Sequence, residues 1–152
     1  MAFVFVQHLD PTQASFLPGI LAKATSIPVA DVTATTKIKA NHIYTIPSDA
    51  DMIITDGTLH LIKRKNNSGI HKPIDTFFTS LAKDQSELAV GVILSGTGTD
   101  GTAGLKAIKA HGGITFVQDE TAEYKDMPQS AVQAGVVDYI LPPDATDRKS
   151  VV

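Results

Sequence analysis

Cysteine is absent from the 152 residues. That excludes a disulfide framework, a thiolate zinc site and a cysteine nucleophile. No long apolar run is present either. Residues 2–6 form a short one that stops at Gln7, far short of the ~20 residues a membrane helix needs. Met1 enters that run without the basic leader of a signal peptide. A strong charge of one sign is missing too. Thirteen basic side chains against sixteen acidic ones leave a net charge of -3, too near balance to point to nucleic acid or an anionic membrane. These absences predict a cytoplasmic protein with no membrane insertion and no nucleic-acid partner.

What is present fits one domain. The length suits a single core that buries roughly two thirds of the surface of the unfolded chain. The apolar share of 43% lies far from a disordered composition. Residues 1–143 carry the regular patterning, and residues 144–152 read as a polar tail that frays.

Residues 2–6 read as a strand buried on both faces, as in parallel sheets. Asp10-Pro11 signals a turn. Phe16, Leu17, Ile20, Leu21 and Ala24 have helical spacing over residues 15–24, with Pro18 tolerated in the first turn. Residues 28–32 look extended. Residues 42–63 hold short β-type runs around Ile43 and Ile46, Met52 to Ile54, and Leu59 to Ile62. Asp56-Gly57 between the last two is a hairpin signal, so this stretch reads as a small antiparallel excursion. Ile74, Phe77, Phe78, Leu81 and Ala82 line one helix face. Residues 88–94 read as a buried strand, and Leu105 and Ile108 lie in a helix that stops at Gly112-Gly113. Residues 114–117 form a strand, 128–134 a short helix ended by Gly135, and 136–141 a last strand closed by Pro142-Pro143.

Strands alternating with helices predict an α/β fold: a doubly wound, mostly parallel, Rossmann-like sheet with helices on both faces, plus the small antiparallel hairpin. Sites in such folds lie beyond the carboxyl ends of the strands. His8 stands two residues beyond the first strand. A lone histidine there also reads as a surface or hydrogen-bonded structural residue.

The loop at residues 95–101, Ser-Gly-Thr-Gly-Thr-Asp-Gly, carries more information. Gly96, Gly98 and Gly101 formally spell G-x-G-x-x-G, with Asp119 at the distance of a ribose-binding acid. Asp100 argues against that dinucleotide reading, because a carboxylate at the helix start would repel a pyrophosphate. Asp100 suits a helix cap, or the acid of a Ser-His-Asp triad that orients a histidine. The glycines let a substrate approach and free backbone N–H groups to serve as oxyanion donors.

Several stretches resemble the chemotaxis protein-glutamate methylesterases, in order along nearly the whole chain. Phe3-Val-Phe-Val-Gln-His-Leu-Asp-Pro11 is similar to the strand and loop around their catalytic histidine, and Asn41-His-Ile-Tyr-Thr-Ile-Pro47 to the start of their hairpin. His71-Lys-Pro-Ile-Asp75 with Phe78, Ser80 and Leu81 resembles their next helix. The 95–101 loop with Ala103-Gly104 resembles their aspartate loop. Met127-Pro, Ser130-Ala and Val137-Asp-Tyr-Ile-Leu-Pro142 resemble their C-terminal stretch.

The resemblance implies a hydrolase that cleaves glutamyl methyl esters on the cytoplasmic part of methylated chemoreceptors, releasing methanol, and in many members deamidates receptor glutamines. It implies no cofactor, and a catalytic domain that commonly follows a phosphorylated receiver domain or sits in larger sensory fusions, a methyltransferase among the fused domains to consider. By motif match His8 takes the general-base position and Asp100 that of its orienting acid. Thr97 stands where the family often has methionine, whose backbone N–H is assigned to the oxyanion hole.

One departure matters. The family carries its nucleophilic serine on a G-x-S-x-G-like turn tens of residues before the histidine, and Met1 lies seven positions before His8. Ser95 lies in the aspartate loop, and Ser15, Ser80 and Ser130 read as helix residues. The expectation is a domain without esterase activity of its own, with strand edges exposed by the missing segment and open to self-association. A non-catalytic domain that binds receptor or scaffold is the competing reading.

Other candidates read as structural. His42, His60, His71 and His111 lack metal spacing. Lys63-Arg64-Lys65 reads as a solvated loop, with receptor contact as its functional alternative. Tyr124 and Met127 lie before the last helix, where family members place residues near the site; packing explains them equally.

Overall fold

The computed structural model describes residues 1–8, 10, 12–64 and 71–145. Pro11, Lys65 and most of the polar tail (146–152) lie outside the described residues.

Two parallel three-stranded sheets frame the molecule. In the first, β4 (Ile43–Thr45) lies between β1 (Phe3–Phe5) and β2 (Val29–Asp31). Phe3 pairs with Ile43, and Val29 pairs with Ile43 from the other side. In the second, β8 (Ile114–Gln118) lies between β7 (Val90–Ile93) and β9 (Tyr139–Leu141). A third, antiparallel sheet has the order β3 (Thr36–Lys37), β6 (Thr58–Lys63), β5 (Ala50–Thr55). The fold is therefore α/β with mostly parallel strands and a small antiparallel piece, as expected, but its parallel strands divide into two sheets. Among the described residues no ladder joins β1 to β7.

The hairpin lies where its turn residues place it. Asp56 and Gly57 adopt φ of 50° and 65°, the left-handed pair that a two-residue connection between twisted strands requires. Helix α2 (Pro73–Gln85) holds this hairpin from one side: Asp84 accepts from the amides of Asp56 and Gly57, and Ser80 Oγ accepts from Ile54 N. Ile43–Thr45, expected in the antiparallel excursion, instead forms the parallel β4. Its direction is set by β1 and β2, which lie far from it in sequence. Strand β3 was not anticipated.

One core joins these pieces. Met52, Leu59, Phe77, Ile93, Leu105 and Ile108 are among its most deeply buried members. Helix α3 (Thr102–Ala110) packs on α2 with Gly104 against Phe78, where a Cβ would lie 2.5 Å from Phe78 Cβ. Helix α4 (Asp126–Gln133) contributes Met127 and Ala131. It begins two residues earlier than its sequence pattern suggested.

The N-terminal elements differ from expectation. Strand β1 is only half-buried, with Phe3 39% exposed, because among the described residues it is paired on one side alone. Helix α1 (Leu17–Ala24) has Pro in its first turn as expected, yet none of its residues is buried. Phe16 and Ile20 stand open to solvent. The stretch before β7 is a 3-10 turn at Ser86–Leu88, so Leu88 is exposed rather than part of a buried strand.

Candidate active site

The loops after β1 and β7 meet. His8 Nε2 lies 2.7 Å from Asp100 Oδ2, with Asp100 buried and His8 43% exposed. A carboxylate has no proton to give, so a neutral His8 paired with it keeps its proton on Nε2, and among the described residues no bond to Nδ1 is formed.

Asp100 is held rigidly by backbone. The first helical residue of α2 is Pro73, whose missing N–H would be unpaired there in any case. The next two amides need acceptors. Asp100 supplies both, Oδ2 to Ile74 N at 2.9 Å and Oδ1 to Asp75 N at 2.8 Å. Asp75 in turn accepts from Gly101 N at 3.0 Å and Gly104 N at 2.7 Å at the start of α3. The carboxylate expected to cap its own helix accepts from Gly101 N at 2.9 Å and caps α2 as well. Gly101 makes the crossing possible: its φ is 94°, and a Cβ there would lie 2.6 Å from Ile93 Cδ1.

These bonds oppose a pyrophosphate at the start of α3, where the Gly101 and Gly104 amides are already taken by Asp75 and Asp100. Asp119 is occupied locally as well. The Thr121 hydroxyl, and after it the Thr121 amide, bond its carboxylate and lower its pKa. Asp10 does the same with Thr12 in the loop after His8, with a smaller contribution from the charge of Arg64.

The serines have other work. Ser95 Oγ accepts from Tyr124 N at 2.9 Å, Ser15 Oγ accepts from Leu17 N, and Ser130 Oγ accepts from Thr102 Oγ1. Ser80 donates to Phe77 O while holding the hairpin. Among the described residues no serine hydroxyl is hydrogen-bonded to His8. Ser15 does line, with Gln7, Asp10, Phe16 and Ile20, a cleft of 310 Å³ that opens beside His8.

Thr97 is exposed on the loop between Gly96 and Gly98. Gly96 is tied on both sides, its N–H to Tyr124 O and its C=O from Met127 N. Among the described residues nothing accepts a hydrogen bond from the Thr97 amide. Met127 is buried inside α4 and packs against Gly96, whereas Tyr124 is 54% exposed.

One cluster escaped sequence reasoning. His71 lies edge-on to His8, ring centroids 6.0 Å apart and planes at 89°. Its Nε2 is 2.5 Å from Asp51 Oδ1, and its Nδ1 is 2.6 Å from an Arg64 nitrogen. Arg64 also donates to Ser48 O at 3.2 Å. It is therefore an anchored side chain and not part of a solvated run. The other described histidines stay apart from the site; His42 stacks on Tyr44, and His111 bonds Ala107 O. Among the described residues no group of three or more His, Asp or Glu is disposed to hold a metal ion. No helix there is long and apolar enough to cross a membrane.

The family model described as CheB methylesterase matches residues 1–149. The chain belongs to this family. A putative protein-glutamate methylesterase/protein-glutamine glutaminase of Leptospira interrogans is 33% identical over 140 residues, covering 91% of this chain and 72% of that protein. A protein-glutamate methylesterase/protein-glutamine glutaminase of Hydrogenovibrio crunogenus is 34% identical over 149 residues, covering 93% of this chain and 39% of that one. An uncharacterized 104.1 kDa protein of Rhodobacter capsulatus is 37% identical over 126 residues, and the match takes in 13% of its length. The chain thus spans well under half of several relatives. The crystal structure of the Thermotoga maritima CheB methylesterase catalytic domain superposes with a TM-score of 0.86 at 27% identity, covering 98% of this chain and 82% of that one. The fold expected from the resemblance is thereby established.

Proposed function

We propose that this domain hydrolyses glutamyl methyl esters on the cytoplasmic part of chemoreceptors, and deamidates receptor glutamines, with His8 as general base and Asp100 as its orienting acid. The observation that carries the reading is the 2.7 Å ion-pair contact between His8 Nε2 and a buried, backbone-held Asp100.

The chemistry follows from the free nitrogen. His8 Nδ1 takes the proton of an attacking hydroxyl as its oxygen bonds the ester carbonyl carbon. The imidazolium that results is stabilised by Asp100. The carbonyl oxygen becomes an oxyanion, for which the Thr97 amide is the donor on the 95–101 loop. As the oxyanion collapses, His8 returns the proton to the departing methoxide oxygen, releasing methanol, or to the departing amide nitrogen of a glutamine, releasing ammonia. Water, activated by the same nitrogen, frees the glutamate.

The reading needs a hydroxyl at His8 Nδ1, and the serines described above are engaged elsewhere. Residues 1–152 alone are therefore not expected to turn over substrate, whereas a native polypeptide that joins this domain to a hydroxyl placed at His8 Nδ1 is. Incubating both with a methylated receptor fragment tests this through methanol release. Release by the native polypeptide but not by residues 1–152 supports the reading. If the native polypeptide binds the receptor without releasing methanol or ammonia, the domain is a receptor-binding module instead, a reading favoured by the fact that among the described residues no serine hydroxyl bonds His8.

A further inference from the structure

Both nitrogens of His71 are spoken for. Arg64 can only donate, so His71 Nδ1 accepts from it at 2.6 Å, and Nε2–H donates to Asp51 at 2.5 Å. A histidine in that state has no lone pair left for a proton or a metal. It is neither a second base nor a ligand. What remains available is its ring, and the ring lies against His8.

His8 needs such a neighbour. Its side chain is 43% exposed, and among the described residues its one polar partner is Asp100, an ion-pair contact at Nε2. A single contact at Nε2 holds one atom of the imidazole and leaves the tilt of the ring free. The loop that carries His8 leaves a half-buried strand paired on one side only. Edge-on packing of one aromatic ring on another restricts that tilt. An aromatic pair of this kind is worth about a factor of 2 to 10 in population.

The geometry points to His71 as a positioning residue for the general base, a role that rests on the His8–Asp100 reading above. Asp51 on β5 and Arg64 just after β6 hold the His71 ring upright. That ring holds His8 with Nε2 on Asp100 and Nδ1 turned outward. The antiparallel hairpin is thereby coupled to the catalytic loops: β5 and β6 supply the two groups that clamp His71.

Nitrogen-15 NMR of the histidine rings tests this on the chain itself, without turnover. Wild-type His8, when neutral, is expected to show a protonated Nε2 and an unprotonated Nδ1. His71→Ala should release the ring, and His8 should move about 2- to 10-fold in population toward an averaged tautomer pattern. His71→Phe keeps a ring edge and loses both hydrogen bonds; it should restore part of the wild-type His8 pattern, falling between wild type and His71→Ala. An unchanged His8 pattern in His71→Ala overturns the proposal alone, as does a His71→Phe variant that behaves like His71→Ala. A wild-type His8 protonated at Nδ1 overturns the pairing with Asp100 and this proposal together.

Discussion

Asp75 and Asp100 each cap the helix that the other one starts. Asp100, from the loop after β7, takes the Ile74 and Asp75 amides of α2, and Asp75 takes the Gly101 and Gly104 amides of α3. The acid that orients His8 is thus part of the joint between two helices. Asp75→Ala leaves two amides at the start of α3 without that acceptor and should cost about 1–3 kcal/mol. Urea unfolding measures it. A loss within a few tenths of a kcal/mol would show that the reciprocal caps contribute little.

The acid limb of stability should carry a signature of Asp138. Burial opposes its charge, but hydrogen bonds from Lys109 and from the Thr115 amide and hydroxyl outweigh that and hold its pKa below the ordinary 3.8. The unfolded chain then binds the proton first as pH falls. The contribution is complete above 3.8 and disappears as pH drops through the lower native value. The urea midpoints of wild type and Asp138→Asn should differ most near neutrality and converge below pH 3.8. A difference that does not change with pH would contradict the assignment.

Much of this was legible because it is local. The apolar spacing of Ile74, Phe77, Phe78 and Ala82 marks α2, and Asp56-Gly57 marks the turn between β5 and β6. His8 and Asp100 were legible through the motifs around them. What the sequence hid depends on partners far along the chain. Ile43–Thr45 looks like hairpin because strand direction is decided by β1 and β2. His71 looks idle because its partners lie 7 and 20 positions away, a closeness only folding creates. Strand β1 looks doubly buried because its composition says nothing about which neighbours it has.

Exposed edges predict association. Among the described residues strands β1 and β7 are each laddered on one side only, and Phe3, Val92 and Leu94 are exposed near those edges. Unpaired parallel edges with apolar side chains recruit further strands. Sedimentation velocity on residues 1–152 should show a mass that rises with concentration, and Val92→Lys should reduce it. A monomer at every concentration would count against this.

The central claim is that His8, held by Asp100, moves the proton. Its most direct test is kcat/KM for methanol release from a methylated receptor by the native polypeptide carrying this domain. His8→Ala and Asp100→Asn should each lower it by about 10⁴-fold or more, with receptor binding intact. Near-normal turnover in either variant would contradict the account, because a free Nδ1 and a fixed Nε2 would then have no part in the reaction.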